Sequence, residues 1–236
     1  MVIKQYYSPK IAGELSGEEL IFKRGLGGLF NEIRQSVLQN ELKISNRKTA
    51  KKGKGATGNT GLADGMNKAL AFSLESLGWS KRKAPGAKHI KAELDWYKDI
   101  PSTLSFGPKS IGVGLEVQFG NNYQFNEDIK RLFEHMLEGA IVAGVSIVPS
   151  DELAKFKADR GASFSDAKSK LDRELGVIVG AGAAIIPGFV LLGVSMDGFT
   201  GVADGKFTLV APKFDGQTGV DLGPSGVADF GTAKAT

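Results

Sequence analysis

The chain contains no cysteine and only two histidines, His89 and His135, in 236 residues. Without thiols there are no disulfides and no thiolate metal ligands, and a reducing cytoplasm is permitted. Two histidines far apart in the chain leave zinc without its usual donors. They also leave a serine-hydrolase triad without a supported histidine. His135 falls in an amphipathic stretch and reads as a packing or interface residue, while His89 sits among lysines, where it can meet phosphate. Long apolar runs are missing too. The longest, from Gly176 to Val194, is broken by glycines and Pro187 and makes a poor membrane span. The opening MVIKQYYSPK carries a lysine but no apolar segment behind it, so no secretion signal is read there.

Acidic residues are locally absent as well. Between Leu42 and Ala63 there is none, yet Lys43, Arg47, Lys48, Lys51, Lys52 and Lys54 are all present. Between Ser76 and Ala92 there is again none, alongside Lys81, Arg82, Lys83, Lys88 and Lys91. The overall charge is only +4 and the sequence pI about 9.1. Two concentrated basic runs in so mildly basic a chain point to a polyanion, most simply a phosphate backbone. A hydrophobic share of 42% suffices for one sizeable core.

Periodicity supplies the elements. Ser16 to Leu42 reads as helix with a glycine interruption at Gly25 to Gly28, after which Leu29, Phe30, Ile33 and Val37 share a face. SNRKTAKKGKGATGNT, from Ser45 to Thr60, has no period and reads as a loop. Leu62 to Leu77 is a helix stopped by Gly78, and Lys91 to Asp99 is strand-like. From Ser110 to Phe119 the odd positions are Ile111, Val113, Leu115, Val117 and Phe119, a strict period of two. The even positions carry Gly112, Gly114, Glu116 and Gln118. This reads as a half-buried antiparallel strand whose outward face, bared by two glycines, lets something large approach the backbone. Phe125 to Glu138 is an amphipathic helix with Ile129, Leu132, Phe133, Met136 and Leu137 on its apolar face, Asn126 as its cap, and Glu127 and Asp128 suiting its dipole. Ala140 to Val148 reads as an interior strand ended by Pro149, with Ser150 capping the next helix. Ser165 to Leu175 is a helix closed by Gly176, and Phe189 to Val194 a last buried strand. The order indicates an α/β fold, a mixed central sheet flanked by helices. After Gly198 the composition turns to glycine, aspartate, threonine and alanine, with one strand at Lys206 to Phe214 and a loose arm. The expected division is a domain over 1–198 and a glycine-rich extension over 199–236. GAGAAI, from Gly180, lacks the third glycine of a dinucleotide turn and follows a helix, so it is set aside.

Asp95 lies in ELDWYKD, and Glu116 and Gln118 lie in LEVQFGN. If these are neighbouring strands joined by the loop from Ile100 to Lys109, the two carboxylates converge at one end of the sheet. Two carboxylates with backbone carbonyls and water suit Mg²⁺. Such an ion activates a water nucleophile and stabilises charge on a phosphate, which phosphodiester hydrolysis needs. The competing reading is two ordinary surface carboxylates.

The run ELDWYKD, a loop, then IGVGLEVQFGN resembles the active-site hairpin of type II restriction endonucleases of the BamHI, BglII and BstYI group, within the PD-(D/E)XK nuclease superfamily. The likeness extends upstream through SNRKTAKKGKG and GWSKRK, and downstream through IVPSDELAKF and GVIVGAGAAIIPGFVLLGV, from about Leu20 to Val194. The resemblance implies a restriction-endonuclease-like core. It implies Asp95 and Glu116 as metal ligands, the Val117 carbonyl as a third, and Gln118 at a position held by lysine in most of the superfamily. An amide is no base, so Gln118 is expected to orient the attacking water. The family's further polar residue upstream of the hairpin has no acidic counterpart among Ser80, Lys81, Arg82 and Lys83. Asp99 remains a rival for Asp95, because the hairpin loop is long. Asn46, Arg47, Lys48 and Lys51 fall where the family carries a DNA-contacting loop. With Lys52, Lys54, Lys81, Arg82 and Lys83 they form the expected DNA-binding set, reading bases or only touching phosphate.

The same resemblance implies a Mg²⁺-dependent, cytoplasmic, homodimeric enzyme cutting duplex DNA at a short palindrome. The site would be GATC-centred, leaving a 5′ overhang, with a cognate DNA methyltransferase in the same system but not bound to it. Phe125 to Glu138 is the expected dimer interface. The rival readings are a repair or recombination nuclease without fixed sequence and a DNA-binding protein without catalysis.

Overall fold

The computed structural model describes residues 1–10, 15–39, 60–81, 93–102, 109–119, 122–154, 163–180, 188–195, 199–203, 206–210 and 227–232. The elements are β1 (Val2–Tyr7), α1 (Gly17–Lys23), α2 (Gly27–Leu38), α3 (Thr60–Ser76), β2 (Trp96–Pro101), β3 (Ser110–Val117) and α4 (Asn122–Leu137). They continue with β4 (Ala143–Pro149), α5 (Asp151–Ala154), α6 (Phe164–Gly180), β5 (Gly188–Ser195), β6 (Phe199–Ala203), β7 (Lys206–Val210) and β8 (Val227–Thr232).

Five strands form one mixed sheet in the order β1-β5-β4-β3-β2. The interior pairs β3–β4 and β4–β5 are parallel, and the outer pairs β1–β5 and β2–β3 antiparallel. Helices cover both faces, as parallel strands require. On one face Phe30 and Ile33 of α2 and Met66, Leu70 and Leu74 of α3 pack on Val113, Leu115, Val145, Ile147 and Val190. On the other, Phe125, Ile129, Leu132 and Phe133 of α4 and Ala167, Leu171 and Leu175 of α6 pack on Phe189 and Leu191. Each strand divides its side chains between the two faces by its period of two. The separate strands β6, β7 and β8 make an antiparallel sheet in that order. Among the described residues no helix is long and apolar enough to cross a membrane.

The glycine interruption is real: Ser16 caps α1 through a reciprocal capping box with Glu19, and Gly25 turns the chain into α2 at φ 77°. Gly78, at φ 82°, ends α3 as its spacing suggested. The interior strand before Pro149 is buried throughout, and the Ser150 hydroxyl accepts from the Leu153 amide at 3.1 Å.

Several expectations are corrected. β1 does not declare itself in the sequence: its burial alternates with polar residues and it forms an edge. The fourth helix begins at Asn122, so Asn126 lies inside it and does not cap it. Leu137 is 54% exposed, off the apolar face that Phe125 joins. Gly176 does not close α6, which runs to Gly180 and is capped by Ser163 at 3.1 Å from the Asp166 amide. Among the described residues beyond Gly198 there are three strands, β7 stopping at Val210.

The largest correction concerns β3. It is buried on both faces over Gly112–Glu116, and the glycine face is not open to an approaching ligand. A Cβ at Gly112 would lie 2.5 Å from the Tyr97 ring. At Gly114 it would lie 2.7 Å from Ile141 and 2.9 Å from both Leu132 and Leu94. The large object admitted by the missing side chains is helix α4 and a neighbouring ring of the same chain.

Candidate active site

The β2–β3 hairpin has the geometry that the spacing of its carboxylates requires. Trp96 pairs with Leu115, which sets Asp95 just before β2 opposite Glu116 near the end of β3. The Val117 amide donates to Asp95 Oδ2 at 3.0 Å, fastening one carboxylate to the strand that carries the other. Asp99, the rival, pairs with Gly112, four positions from Glu116. At about 3.3 Å per residue that is roughly 13 Å along the strand, and its carboxylate acts on Tyr97 instead.

Glu116 is fully buried, and its surroundings explain its state. Burial, then the neighbouring Asp95 carboxylate, push its pKa up to about 9, against the opposing pull of Arg131. Arg131 Nη1 donates to Glu116 Oε1 at 2.8 Å. Oε2 is buried and meets no nitrogen or hydroxyl donor, and a hydrogen bond with the Asp95 carboxylate adds to the upward push. On the far side of the guanidinium, Nη2 lies 3.5 Å from Asp128 Oδ1. Burial lowers the Arg131 pKa, but Glu116 and Asp128 outweigh it and the net direction is up. Burial pushes Asp128 up to about 6, with the hydrogen bond from Gln118 and the charge of Arg131 holding it down. Gln118 Nε2 donates to Asp128 Oδ2 at 3.0 Å and to Gln124 Oε1 at 3.4 Å.

Asp95, Glu116, Arg131, Asp128 and Gln118 are therefore one connected cluster. Arg131 and Asp128 do not stand out as site residues in the sequence, where Asp128 suits only a helix dipole. Both sit one turn apart on α4, and Asp128 is buried although charged. An acid three positions before an arginine, beside an otherwise apolar helix face, is the signal the sequence offers. Starting the helix at Phe125 hides it, because Asp128 then falls in the first turn.

Outside the hairpin, Asn67 and Leu70 of α3 join Lys81, Asp95, Trp96 and Val117 around a cleft of about 180 Å³. Backbone bonds between Ser80 and Tyr97, at 2.9 and 3.1 Å, hold the segment before Lys81 to the edge of β2. Lys81 Nζ then lies 5.0 Å over the Trp96 ring, a cation in the cleft that Asp95 lines and that the buried Glu116 does not. Asn46, Arg47, Lys48, Lys51, Lys52, Lys54, Arg82, Lys83 and His89 lie outside the described residues. His135 is buried within α4, in keeping with a packing role.

The charge of the donor set favours a divalent cation. Three carboxylates, Asp95, Glu116 and Asp128, face the single guanidinium of Arg131. A carboxylate whose pKa is raised by burial and then by a second carboxylate beside it is short of positive charge, which a hard oxygen-seeking cation supplies. Among the described residues no three acid or imidazole side chains converge on one point. A cation held here would take Asp95 and Glu116, with backbone oxygen and water completing its shell.

A family model described as Restriction endonuclease BglII/BglIII matches residues 16–184, from the cap of α1 to just past α6. No curated protein matches the chain.

Proposed function

This chain belongs to the BglII/BglIII restriction endonuclease family, and from that premise we propose that it hydrolyses both strands of duplex DNA at a short palindrome with Mg²⁺ held between Asp95 and Glu116. The observation that carries the site is the pairing of Asp95 with the end of β3, which sets Asp95 beside the buried Glu116 and on the wall of a cleft bordered by Lys81. Mg²⁺ bound there would acidify a water and neutralise charge on the scissile phosphate.

The chain's own residues do the rest. Asp95 and Glu116 hold the cation, and the Val117 carbonyl is the proposed third protein donor. Gln118 orients a water and does not take its proton, and its amide is kept in place by Asp128 and Gln124. Lys81, steadied over Trp96, meets a phosphate entering the cleft. The basic run from Asn46 to Lys54, with Arg82 and Lys83, supplies further phosphate contact and base reading.

A homodimer matches a palindrome, each subunit cutting one strand. The apolar face of α4 is already covered by its own sheet, so a dimer contact through this helix uses its exposed stripe: Glu127, Lys130, Glu134 and Leu137. A GATC-centred site with a 5′ overhang and a partner methyltransferase in the same system complete the reading.

The test is to incubate plasmid DNA with the full chain and Mg²⁺ and to sequence the fragment ends. Ends clustering at one palindrome are expected. Ends scattered without a shared sequence would reject site specificity, and intact plasmid at every enzyme concentration would reject catalysis.

A further inference from the structure

Gly114 of β3 helps decide how close α4 lies to the sheet. Leu132 sits directly over Gly114, within 2.9 Å of where a Cβ would be. Arg131, next to Leu132, is thereby carried to the strand position two residues beyond Gly114, which is Glu116. One turn earlier on the same helix, Asp128 meets both Arg131 and Gln118. A larger residue at position 114 would hold the helix away and separate these groups.

The contacts divide the Glu116 carboxylate unequally. One oxygen, Oε1, accepts from Arg131 at 2.8 Å, while the other, Oε2, is buried with no nitrogen or hydroxyl donor, and the carboxyl's remaining hydrogen-bonding neighbour is the Asp95 carboxylate. A carboxylate on two rotatable bonds beyond Cβ otherwise has freedom to swing or to bind a cation through both oxygens. The guanidinium restricts that freedom, because one arm of its planar fork donates to Oε1 while the other is drawn toward Asp128 as an ion pair at 3.5 Å.

We propose that Arg131 is a positioning residue for the cation site: it clamps Oε1 of Glu116 against Asp128, so that Glu116 meets the cation through Oε2 alone and Gln118 is held in register with it. This rests on the reading of Asp95 and Glu116 as cation ligands. Outer partners that orient a ligand carboxylate commonly set metal affinity by tenfold to a hundredfold. A guanidinium that merely offset buried charge would act oppositely, as a cation competing with the one to be bound.

These two roles differ in sign and are separated by titrating Mn²⁺ alone into the full chain, followed by calorimetry or by the electron-spin resonance of free Mn²⁺. The clamp predicts that Arg131→Met and Arg131→Lys each weaken Mn²⁺ binding by about tenfold or more. Lysine keeps the charge but cannot span two carboxylates. Asp128→Asn is expected to weaken it less, since the bond to Glu116 persists. Binding as tight as wild type, or tighter, in either Arg131 variant overturns the clamp. If Arg131→Met does not fold, as judged by circular dichroism, Arg131→Lys decides alone. Wild-type affinity in Asp128→Asn overturns the link to Gln118. Unchanged Mn²⁺ binding by Asp95→Ala and Glu116→Ala, or no saturable binding by the unaltered chain, overturns the cation site itself and the clamp with it.

Discussion

The two faces of β3 are built from alternate residues of one strand and serve opposite purposes. Toward α2 and α3 it presents Val113 and Leu115, fully buried among Phe30, Leu70 and Trp96 with no polar group nearby in the strand. On the opposite face it presents Gly112 beneath the Tyr97 ring, Gly114 beneath Leu132 of α4, and then Glu116 against Arg131. The first face stabilises through apolar area. The second gives up side chains so that a helix carrying charged groups can come close, and buries an acid against Asp95 and Arg131. A single strand can thus anchor the core and poise a site, because its period of two keeps the tasks on separate sides.

The comparison breaks first at the carboxylates. Asp95→Ala and Glu116→Ala are each expected to lower DNA cutting by roughly a thousandfold with DNA binding retained in a gel-shift assay, and undiminished cutting by either variant would remove that residue from the site. Next come the residues that divide the faces. Leu115→Ala should destabilise the fold by about 3 kcal/mol through lost burial and a cavity. Gly114→Val should destabilise it by about 2 kcal/mol through overpacking against Ile141, Leu132 and Leu94. Urea unfolding measures both. Only the glycine substitution should also weaken Mn²⁺ binding in the protein that remains folded, and equal effects on Mn²⁺ would erase the distinction between faces.

The pH dependence sharpens the comparison further. Glu116 is pushed from its ordinary 4.5 up to about 9, so the folded chain retains a proton that the unfolded chain releases. In the cation-free protein the stability from this group is present below about 4.5 and is lost as pH rises toward 9. A cation must displace that proton, so Mg²⁺ affinity should climb by up to roughly tenfold per pH unit between about pH 6 and 8. Glu116→Gln should lack the slope in stability. A flat Mg²⁺ dependence across that range would mean that Glu116 is already ionised in the free protein.

Much of this was legible in the chain. The alternation from Ile111 to Phe119 identified β3, the continuous apolar run before Pro149 identified an interior strand, and the spacing of Asp95 and Glu116 located both at one end of a hairpin. Those readings depend on local period and on hairpin connection, which carry over from sequence to structure directly. The misread features depend on packing. Gly112 and Gly114 look the same whether they admit a ligand or a helix. Asn126 resembles a cap until the helix is seen to start at Asn122. β1, with only partial burial and a distant partner in β5, has too weak an alternation to be recognised from its residues alone.

Charge divides in the same way. An acid-free lysine run is visible in sequence, but only docking of the Ser80 segment on β2 brings Lys81 to Trp96 and the cleft lined by Asp95. Glu116 could be chosen from its motif, whereas its burial and raised pKa come from α4 and Asp95 closing around it.

By itself the sequence determined the strand and helix periods, the acidic hairpin and the basic flanks, since each is written in residues close together along the chain. The tertiary structure decided which partner fills the space above the glycines, that Arg131 holds one oxygen of Glu116, and that the other is left without a nitrogen or hydroxyl donor. Those outcomes arise from the approach of α4 to β3, a contact between separate elements whose distance depends on side-chain volume at Gly114 and Leu132 and on no local period.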